Sequence, residues 1–370
     1  MRYGFSLGIA ATLCLAAAGA KAEEITIAVA GPFSGPVATV GEQFKHGAQA
    51  GVAAVNAAGG INGKMIKLDV EDDVCDPKQA VAVANRLVSL GVKFVDGHAC
   101  SGSSIPASEV YAENKILMIT PSSSNPVLTE QAFAHKWTTI MRLYGRDDAQ
   151  GQFIGPWIAE KFKDKKIVIL HDKSAYGQGL ATAVKAGLNA GGVKEALFDS
   201  INPGEKDYSA VVSKLKALGA QFVYFGGYHP EAGLILRQSA DQGFKFTMMM
   251  GDAIATPEFW QISGPAGEGT LFTFPSDPQA RPTAAKAVEE IKKTGFQPEG
   301  FTLFAYAVIQ AMAEGIKRAG SEDPVKVAAA LRSGPVDTVV GSVSFDEKGD
   351  LKGATYDVNV WHDGKYAKLQ

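Results

Sequence analysis

The segment "CSGSS" at residues 100–104 places three serines and a glycine where a predicted strand gives way to a predicted helix. Small residues there let backbone N–H groups approach a ligand, and serine hydroxyls add donors, so the segment favours binding of an anion. A phosphate, a carboxylate and a plain tight turn are all compatible with this segment alone. Which of these three the segment serves can be inferred only together with the residues at the ends of the other predicted strands.

Other predicted strands also end in short polar segments. In an open α/β sheet, ligands lie beyond the carboxyl ends of the strands. The segments at such ends are "FSGP" (33–36), "CSGSS" (100–104), "PSSSN" (121–125), "KSAYG" (173–177), "GGYHP" (226–230) and "GDA" (251–253). The earlier ends are rich in serine, whereas the later ends contribute Tyr176, Tyr228 and Asp252. This division favours a zwitterionic ligand, with its carboxylate at the serines and its ammonium near Asp252.

Each segment also has a purely structural interpretation. "CSGSS" is compatible with a helix N-cap beside a disulfide, and "TPSSSNP" (120–126) is compatible with a solvated loop. Tyr228 could be a core ring, and Asp252 could be a turn residue after Gly251. All these segments fall at the same end of predicted parallel strands, and that convergence favours a shared ligand site.

Signatures of common enzyme classes are missing from the sequence. It contains no G-x-x-x-x-G-K-[ST], G-x-G-x-x-G or G-x-S-x-G motif, and its six histidines show no H-x-x-x-H or H-x-H spacing. His98 and His229 lie near the expected cleft, where acid–base chemistry is conceivable, but structural or capping histidines are more common. We therefore predict no catalytic residue, no metal and no cofactor.

Two series of alternating strands and helices position these ends. Apolar runs typical of buried parallel strands occur at 25–30, 66–70, 94–95, 116–119, 166–170, 222–225 and 246–250. Apolar residues recur at helical spacing from Phe44 to Val55, and a second helix begins with Asp76 as N-cap and ends at Gly91. Further helices are predicted at 302–319 and 324–331, followed by a strand-like tail at 339–370.

The two series predict an α/β fold with two doubly wound lobes. Segments near 143–149 and 275–282 are candidate crossovers between the lobes. A β/α barrel also fits alternating elements, but the strand-rich tail and the break in mid-chain count against it. A mature chain of about 350 residues also exceeds what one hydrophobic core usually serves, which favours two domains.

Residues 1–22 have the pattern of a cleaved signal peptide. Arg2 is followed by an apolar run at 9–18, which is too short to span a bilayer, and "AKA" at 20–22 fits a cleavage site. The residues before Cys14 do not fit a lipoprotein cleavage site, so a soluble exported protein is favoured over an anchored one. Loss of Arg2 and Lys21 takes the net charge from −3 to about −5, which argues against binding to nucleic acid or an anionic membrane.

Cys75 and Cys100 are the two cysteines of the mature chain. An even pair in an exported protein predicts a disulfide, and two free buried thiols are the alternative. Each cysteine comes just after a predicted strand, so we expect the two strands to be neighbours in the sheet.

Several long segments resemble the leucine/isoleucine/valine-binding protein family, the periplasmic receptors of branched-chain amino-acid ABC transporters. The resemblance spans essentially the whole mature chain and is carried by "GPFSGPVATVGEQFKHGAQAGVAAVNAAGGINGK", "DDVCDPKQAVAVANRLV", "GHACSGSSIPASEVY", "ILMITPSSSNP", "HDKSAYGQGLA", "GEKDYSAVVSKLKA", "FVYFGGYHPEAGLILRQ" and "FDEKGDLKG".

The resemblance implies a type I periplasmic binding protein with two Rossmann-like lobes, three crossover segments and a ligand closed between the lobes. We expect lobe 1 to comprise 23–142 plus 276–353, and lobe 2 to comprise 143–275 plus 354–370. It also implies a periplasmic location, a membrane permease of an ABC transporter as partner, and a monomeric state. The family's disulfide matches Cys75 and Cys100.

The family's ligand contacts also map onto this chain. In lobe 1 they fall on Ser101 and Ser124, through hydroxyl and backbone N–H, and on Ser122, through its backbone. In lobe 2 they fall on Tyr228 and on an acid after the "MG" strand end, and Tyr176 matches a tyrosine that closes over the ligand. These matches imply that the ligand is bound by residues of both lobes.

Three positions depart from the family pattern. The acid position is shifted in "MGDAIA", so Asp252 is our choice, although a slip of one residue would put Ala253 there. Val40 replaces an aromatic residue that the family carries in the "SGPVA" loop, and Ala99 is often larger in relatives. Both small residues enlarge the pocket, so we expect it to accept Leu, Ile and Val, and larger apolar side chains such as Phe.

Three alternatives stay open. An enzyme would need a nucleophile–base pair or a cofactor loop, and neither is found in the sequence. A soluble carrier that also informs a sensor would have the same features. Related receptors bind amides, urea or small aromatic acids, but Asp252 favours an α-amino ligand because an amide has less need of an anionic partner.

Overall fold

The computed structural model describes residues 23–370, so the predicted signal peptide at 1–22 lies outside the described residues. The strands are β1 (Glu24–Gly31), β2 (Met65–Asp72), β3 (Phe94–Gly97), β4 (Leu117–Thr120), β5 (Ile140–Arg142), β6 (Ile167–His171), β7 (Leu197–Ser200), β8 (Phe222–Gly226), β9 (Thr247–Met250), β10 (Leu271–Phe274), β11 (Val336–Thr338), β12 (Gly341–Val343), β13 (Asp357–His362) and β14 (Lys365–Lys368). The helices are α1 (Ala38–Ala57), α2 (Pro77–Ser89), α3 (Ser101–Glu113), α4 (Val127–Ala134), α5 (Asp147–Phe162), α6 (Ala175–Ala190), α7 (Ser209–Leu218), α8 (His229–Asp241), α9 (Pro257–Ser263), α10 (Ala285–Lys293), α11 (Thr302–Ala319) and α12 (Pro324–Arg332).

The first five strands form a parallel sheet in the order β2-β1-β3-β4-β5. Both faces of β1 are covered. Ala28 and Ala30 belong to the apolar cluster that includes α2 and α3 residues, whereas Ile27 and Val29 belong to the cluster that includes α1 and α11 residues. Burial on both faces explains why the strands are continuous apolar runs without alternation. The strand order reverses between β1 and β3, which is where ligands bind in such sheets.

The second sheet has the order β14-β13-β10-β9-β8-β6-β7. Strands β6 to β10 are parallel, whereas β13 is antiparallel to both β10 and β14. The predicted strand-like tail therefore forms the antiparallel edge of this sheet. On one face α5 and α6 pack closely. They meet at Gly155 and Gly187, where a side chain on Gly155 would collide with the Gly187 backbone.

The chain passes between the two sheets three times. It leaves the first sheet after β5, returns after β10 so that α11 packs on α1, and enters the second sheet again at β13. The two-lobed α/β architecture is confirmed, and two separate sheets exclude the β/α barrel. The residue limits given above for the lobes stay a prediction.

The predicted disulfide is present between Cys75 and Cys100, whose Cα atoms are 5.6 Å apart. The expectation that the strands before the cysteines are neighbours is wrong, because β1 lies between β2 and β3. The loop after β2 crosses the end of β1, where the Asp73 N–H donates to the Gly31 carbonyl at 2.9 Å. This crossing brings Cys75 to the start of α3.

Short strands and an edge strand were missed by the apolar-run criterion. β7 lies at the edge of its sheet, and all four of its residues are only half-buried. β5 has three residues and ends on the buried Arg142. Within residues 23–370 no helix is long and apolar enough to cross a membrane.

Candidate ligand-binding site

A small cavity lies between the carboxyl ends of the two sheets. Its lining residues come from both lobes and are Val40, Ala99, Cys100, Ser101, Ser122, Tyr176, Tyr228, Asp252, Ala253 and Phe301. The structure therefore brings together every residue of the predicted set except Ser124. Ser124 is fully buried and does not line the cavity.

The lobe 1 wall is built on the start of α3. Ser101 is the first residue of that helix, so its N–H has no partner within the helix and lies at the positive end of the helix dipole. The Ser122 hydroxyl donates to the Ala99 carbonyl at 2.7 Å, which commits the Ser122 side chain to the protein. The Asn125 N–H donates to the Ser101 hydroxyl at 3.2 Å and so joins the two serine segments. This wall offers hydrogen-bond donors to an anion.

Asp252 forms the opposite wall. It is buried, and its two carboxylate oxygens accept hydrogen bonds from the Tyr144 hydroxyl at 2.9 Å and from the Tyr176 hydroxyl at 2.8 Å. Burial raises the pKa of Asp252 to about 6, and the two tyrosine donors oppose that rise. A cation in the cavity would favour the ionised carboxylate.

A second buried carboxyl group, that of Asp147, interacts electrostatically with Asp252. It was not among the site residues predicted from the strand ends. Asp147 is the first residue of α5, it is fully buried, and neither carboxylate oxygen has a partner among the described residues. Burial raises the pKa of Asp147 to about 8, the neighbouring Ser124 hydroxyl opposes that rise, and the charge of Asp252 adds to it. The signal for Asp147 was its place in the 143–149 crossover, which has to pass between the lobes beside the cleft.

Other unpartnered polar atoms lie at residues near Asp147. Within residues 23–370 the Gln150 side-chain amide oxygen and the Tyr224 hydroxyl have no hydrogen-bond partner, although both atoms are buried. Buried polar atoms are nearly always paired, so a group of unpaired ones marks a place for water or a polar ligand group. None of these residues lines the cavity.

Aromatic rings close the remaining sides. The rings of Tyr176 and Tyr228 have centroids 5.4 Å apart, and the Tyr228 hydroxyl lies 3.7 Å from Cys75 Sγ of the disulfide. Phe301 lies just before α11 and packs edge-on against Tyr144, with ring centroids 5.4 Å apart. Phe301 could not be found by searching strand ends, because it precedes a helix.

Two sequence expectations about the apolar side need revision. Val40 lies in the first turn of α1 and not in the "SGPVA" loop, because the helix already begins at Ala38. The loss of an aromatic ring at Val40 does not leave lobe 1 without one, because Phe301 lines the same cavity. The apolar lining therefore combines small residues with one phenylalanine.

The two lobes contact each other around the cavity. The Thr39 hydroxyl of lobe 1 donates to Glu258 at 2.7 Å, and Glu258 also lies 2.8 Å from Nε2 of His229. The Asn125 side-chain amide donates to the Ala175 carbonyl at 2.6 Å. These contacts describe a closed arrangement in which the cleft is shut over the cavity.

The two histidines near the cleft have structural partners. His98 is fully buried, with Nδ1 at 2.6 Å from Asp73 and Nε2 at 2.8 Å from the Tyr111 hydroxyl. Neither His98 nor His229 lines the cavity. Among residues 23–370 the single group of three potential metal ligands is the exposed set Glu268, His362 and Asp363, which lies outside the cavity.

Comparisons with known proteins agree with this geometry. A family model described as "Periplasmic binding protein" matches residues 24–364. Leu/Ile/Val-binding protein homolog 1 of Brucella suis biovar 1 (strain 1330) is 48% identical over 374 residues and covers 100% of both chains. An amino acid binding protein of Pseudomonas aeruginosa is 48% identical over 350 residues, covering 94% of this chain and 92% of that one. The solved structure of a leucine binding protein from Thermotoga maritima has a TM-score of 0.85 at 27% identity, covering 94% of this chain and 98% of that one.

Proposed function

The chain belongs to the periplasmic binding protein family, and we propose that it is a receptor for aliphatic, branched-chain L-amino acids that serves an ABC transporter. The observation that carries the proposal is a single cavity with N–H donors on one wall, a buried carboxylate on the other and apolar residues between them. That arrangement matches an α-amino acid at both charged ends. Relatives named for binding Leu, Ile and Val support the ligand class.

The ligand carboxylate binds at the serine wall. The N–H of Ser101 at the helix start is its partner, and the helix dipole adds a favourable field. The Ser122 N–H already donates to the Thr120 hydroxyl at 3.3 Å. The Ser122 hydroxyl is likewise held by the Ala99 carbonyl. Ser124 contributes its backbone N–H and its hydroxyl from the edge of the site.

The ligand ammonium binds at the acid wall. Asp252 is its charged partner, held in place by Tyr144 and Tyr176. Asp147 is a second buried acid near this end, but it does not line the cavity. Tyr228 covers the ligand from lobe 2.

The apolar lining selects the side chain. Val40, Ala99 and Phe301 surround the space left by the charged contacts. Burial of a leucine-sized side chain there contributes roughly 1.5–3 kcal/mol. Discrimination between side chains that differ by one methylene is only about 1–3 kcal/mol, so we expect Leu, Ile and Val to bind, and Phe to be tolerated.

Binding proceeds by closure of a hinge between the lobes. The carboxylate docks first on lobe 1, and Tyr228 and Asp252 reach the ligand only when lobe 2 swings in. The ligand therefore interacts more strongly with the closed form and shifts the population towards it. The closed protein docks as a monomer in the periplasm on a membrane permease, with no catalytic step and no cofactor.

Isothermal titration on refolded protein tests the proposal, because unfolding removes ligand carried over from the cell. We expect tight binding of leucine, weaker binding of alanine, and no heat with GABA or acetamide. Preference for glycine or alanine over leucine would contradict the assignment of the apolar lining. Heat from GABA or acetamide without heat from leucine would contradict the role of Asp252.

A further inference from the structure

Arg142 is a fully buried arginine that lies behind the second serine segment. Its Nη1 donates to the carbonyls of Ser123 at 2.8 Å and Asn125 at 3.0 Å. Its Nε donates to Asp350 at 2.8 Å, and its Nη2 donates to the Thr129 hydroxyl at 2.7 Å. One guanidinium thus connects the serine segment with the last crossover between the lobes, where Asp350 lies.

The contacts with the crossover are extensive. The Arg142 N–H donates to the Gly349 carbonyl at 2.8 Å. The second oxygen of Asp350 accepts hydrogen bonds from Arg146 at 2.9 Å and from the Thr129 hydroxyl at 3.0 Å. Both carboxylate oxygens of Asp350 are therefore occupied, and the orientation of the guanidinium is fixed.

The carbonyl contacts determine how the serine segment is presented. The Ser123 carbonyl and the Ser124 N–H belong to one planar peptide unit, and in a trans peptide they point in opposite directions. A hydrogen bond from Arg142 to the Ser123 carbonyl therefore turns the Ser124 N–H away from the guanidinium. The Ser124 carbonyl is also held, because it accepts from the Asp147 N–H at 2.9 Å.

We propose that Arg142 is a positioning residue for ligand binding, which orients Ser124 towards the ligand and ties the serine segment to the crossover at Asp350. The proposal rests on the proposed function, in which Ser124 contacts the ligand. A lysine could also form an ion pair with Asp350. Arg142, however, contacts two carbonyls, a hydroxyl and a carboxylate at the same time, and only the planar guanidinium has enough donors in fixed directions to do so. Lysine offers only a point charge at this place.

Arg146 provides a matched control. It also pairs with Asp350, and with Glu130 and Asp148, but its side chain donates no hydrogen bond to residues 122–125. We would compare Arg142→Lys and Arg146→Lys by titrating leucine into each refolded protein and by recording each ligand-free Tm. We expect both variants to lower the Tm, but only Arg142→Lys to raise the Kd, by at least tenfold. The Kd of Arg146→Lys should stay within twofold of the unchanged protein.

Equal changes in Kd for the two variants, or an unchanged Kd for Arg142→Lys, would overturn the proposal. Should Arg142→Lys fail to fold, Thr129→Val removes one acceptor of the guanidinium without touching the serine segment. We expect a smaller rise in the leucine Kd, about threefold, and an unchanged Kd would again overturn the positioning role.

The Ser124 amide signal in an NMR spectrum separates this inference from the proposed function. If the unchanged protein binds no leucine, the proposed function fails, but the orientation of Ser124 can still be followed in the ligand-free protein. We expect Arg142→Lys or Thr129→Val to shift that amide signal and to speed its hydrogen exchange, and Arg146→Lys to leave it in place. A Ser124 amide that responds equally to all the variants would contradict the role of Arg142.

Discussion

Replacement of Asp252 by asparagine removes the negative charge opposite the serine wall while keeping the shape of the side chain. In the structure the carboxylate is buried and accepts one hydrogen bond from each of two tyrosines. In Asp252→Asn the amide nitrogen cannot accept one of them, and the ligand ammonium loses its charged partner. We therefore expect a large loss of affinity with a smaller loss of stability.

The magnitude follows from the buried ion pair. Removal of one partner of such a pair typically costs about 3–5 kcal/mol. We take the lower end of that range, about 3 kcal/mol, which corresponds to roughly a 100-fold rise in Kd.

Isothermal titration of leucine into the refolded variant is the assay, and Asp172→Asn is the matched control. Asp172 is also a buried acid of lobe 2 with a pKa raised to about 6 by burial, but it does not line the cavity. We expect leucine affinity to be unchanged in Asp172→Asn. An Asp252→Asn protein that binds leucine within threefold of the unchanged protein would refute the role of Asp252.

Three further predictions concern pH, stability and specificity. Burial raises the pKa values of Asp252 to about 6 and of Asp147 to about 8, above an unfolded value of about 3.9. Between about pH 4 and pH 8 the folded ligand-free protein therefore binds more protons than the unfolded chain. The free energy of unfolding consequently falls as the pH rises through this range. Leucine should release protons near pH 7, and equal titration heats in buffers of different ionisation enthalpy would contradict this. Asp96 is fully buried, its oxygens have no partner among residues 23–370, and burial raises its pKa well above the usual value. We expect Asp96→Val to increase the free energy of unfolding at pH 7 by about 1–3 kcal/mol in urea titrations, and by less at pH 4; a destabilised variant at pH 7 would contradict this. Val40→Phe should fill the cavity and weaken phenylalanine binding more than valine binding, and competition titrations that show the reverse would contradict the assignment of Val40.

The fold could be predicted because both lobes bury their strands on two faces. Such strands are continuous apolar runs, and helices with caps such as Asp76 separate them clearly. The strand order could not be predicted, because β2 and β3 follow each other in the chain while β1 lies between them in space. The half-buried edge strand β7 gave no clear apolar run.

The residues at the strand ends could be predicted because parallel strands bring their carboxyl ends to one edge. Ser101, Ser122 and Asp252 lie at such ends and line the cavity. Asp147 and Phe301 belong to segments that enter the cleft from a crossover or a helix start, and no strand-end rule includes them. Their roles depend on how the two lobes face each other, which is a property of the closed structure and not of either local sequence.

A crystal structure of the refolded protein grown with leucine would test the central claim most directly. The account predicts leucine in the cavity between the lobes, with its carboxylate within hydrogen-bond distance of the Ser101 N–H and its ammonium within hydrogen-bond distance of Asp252. Leucine in the reverse orientation, or bound outside this cavity, would contradict the account.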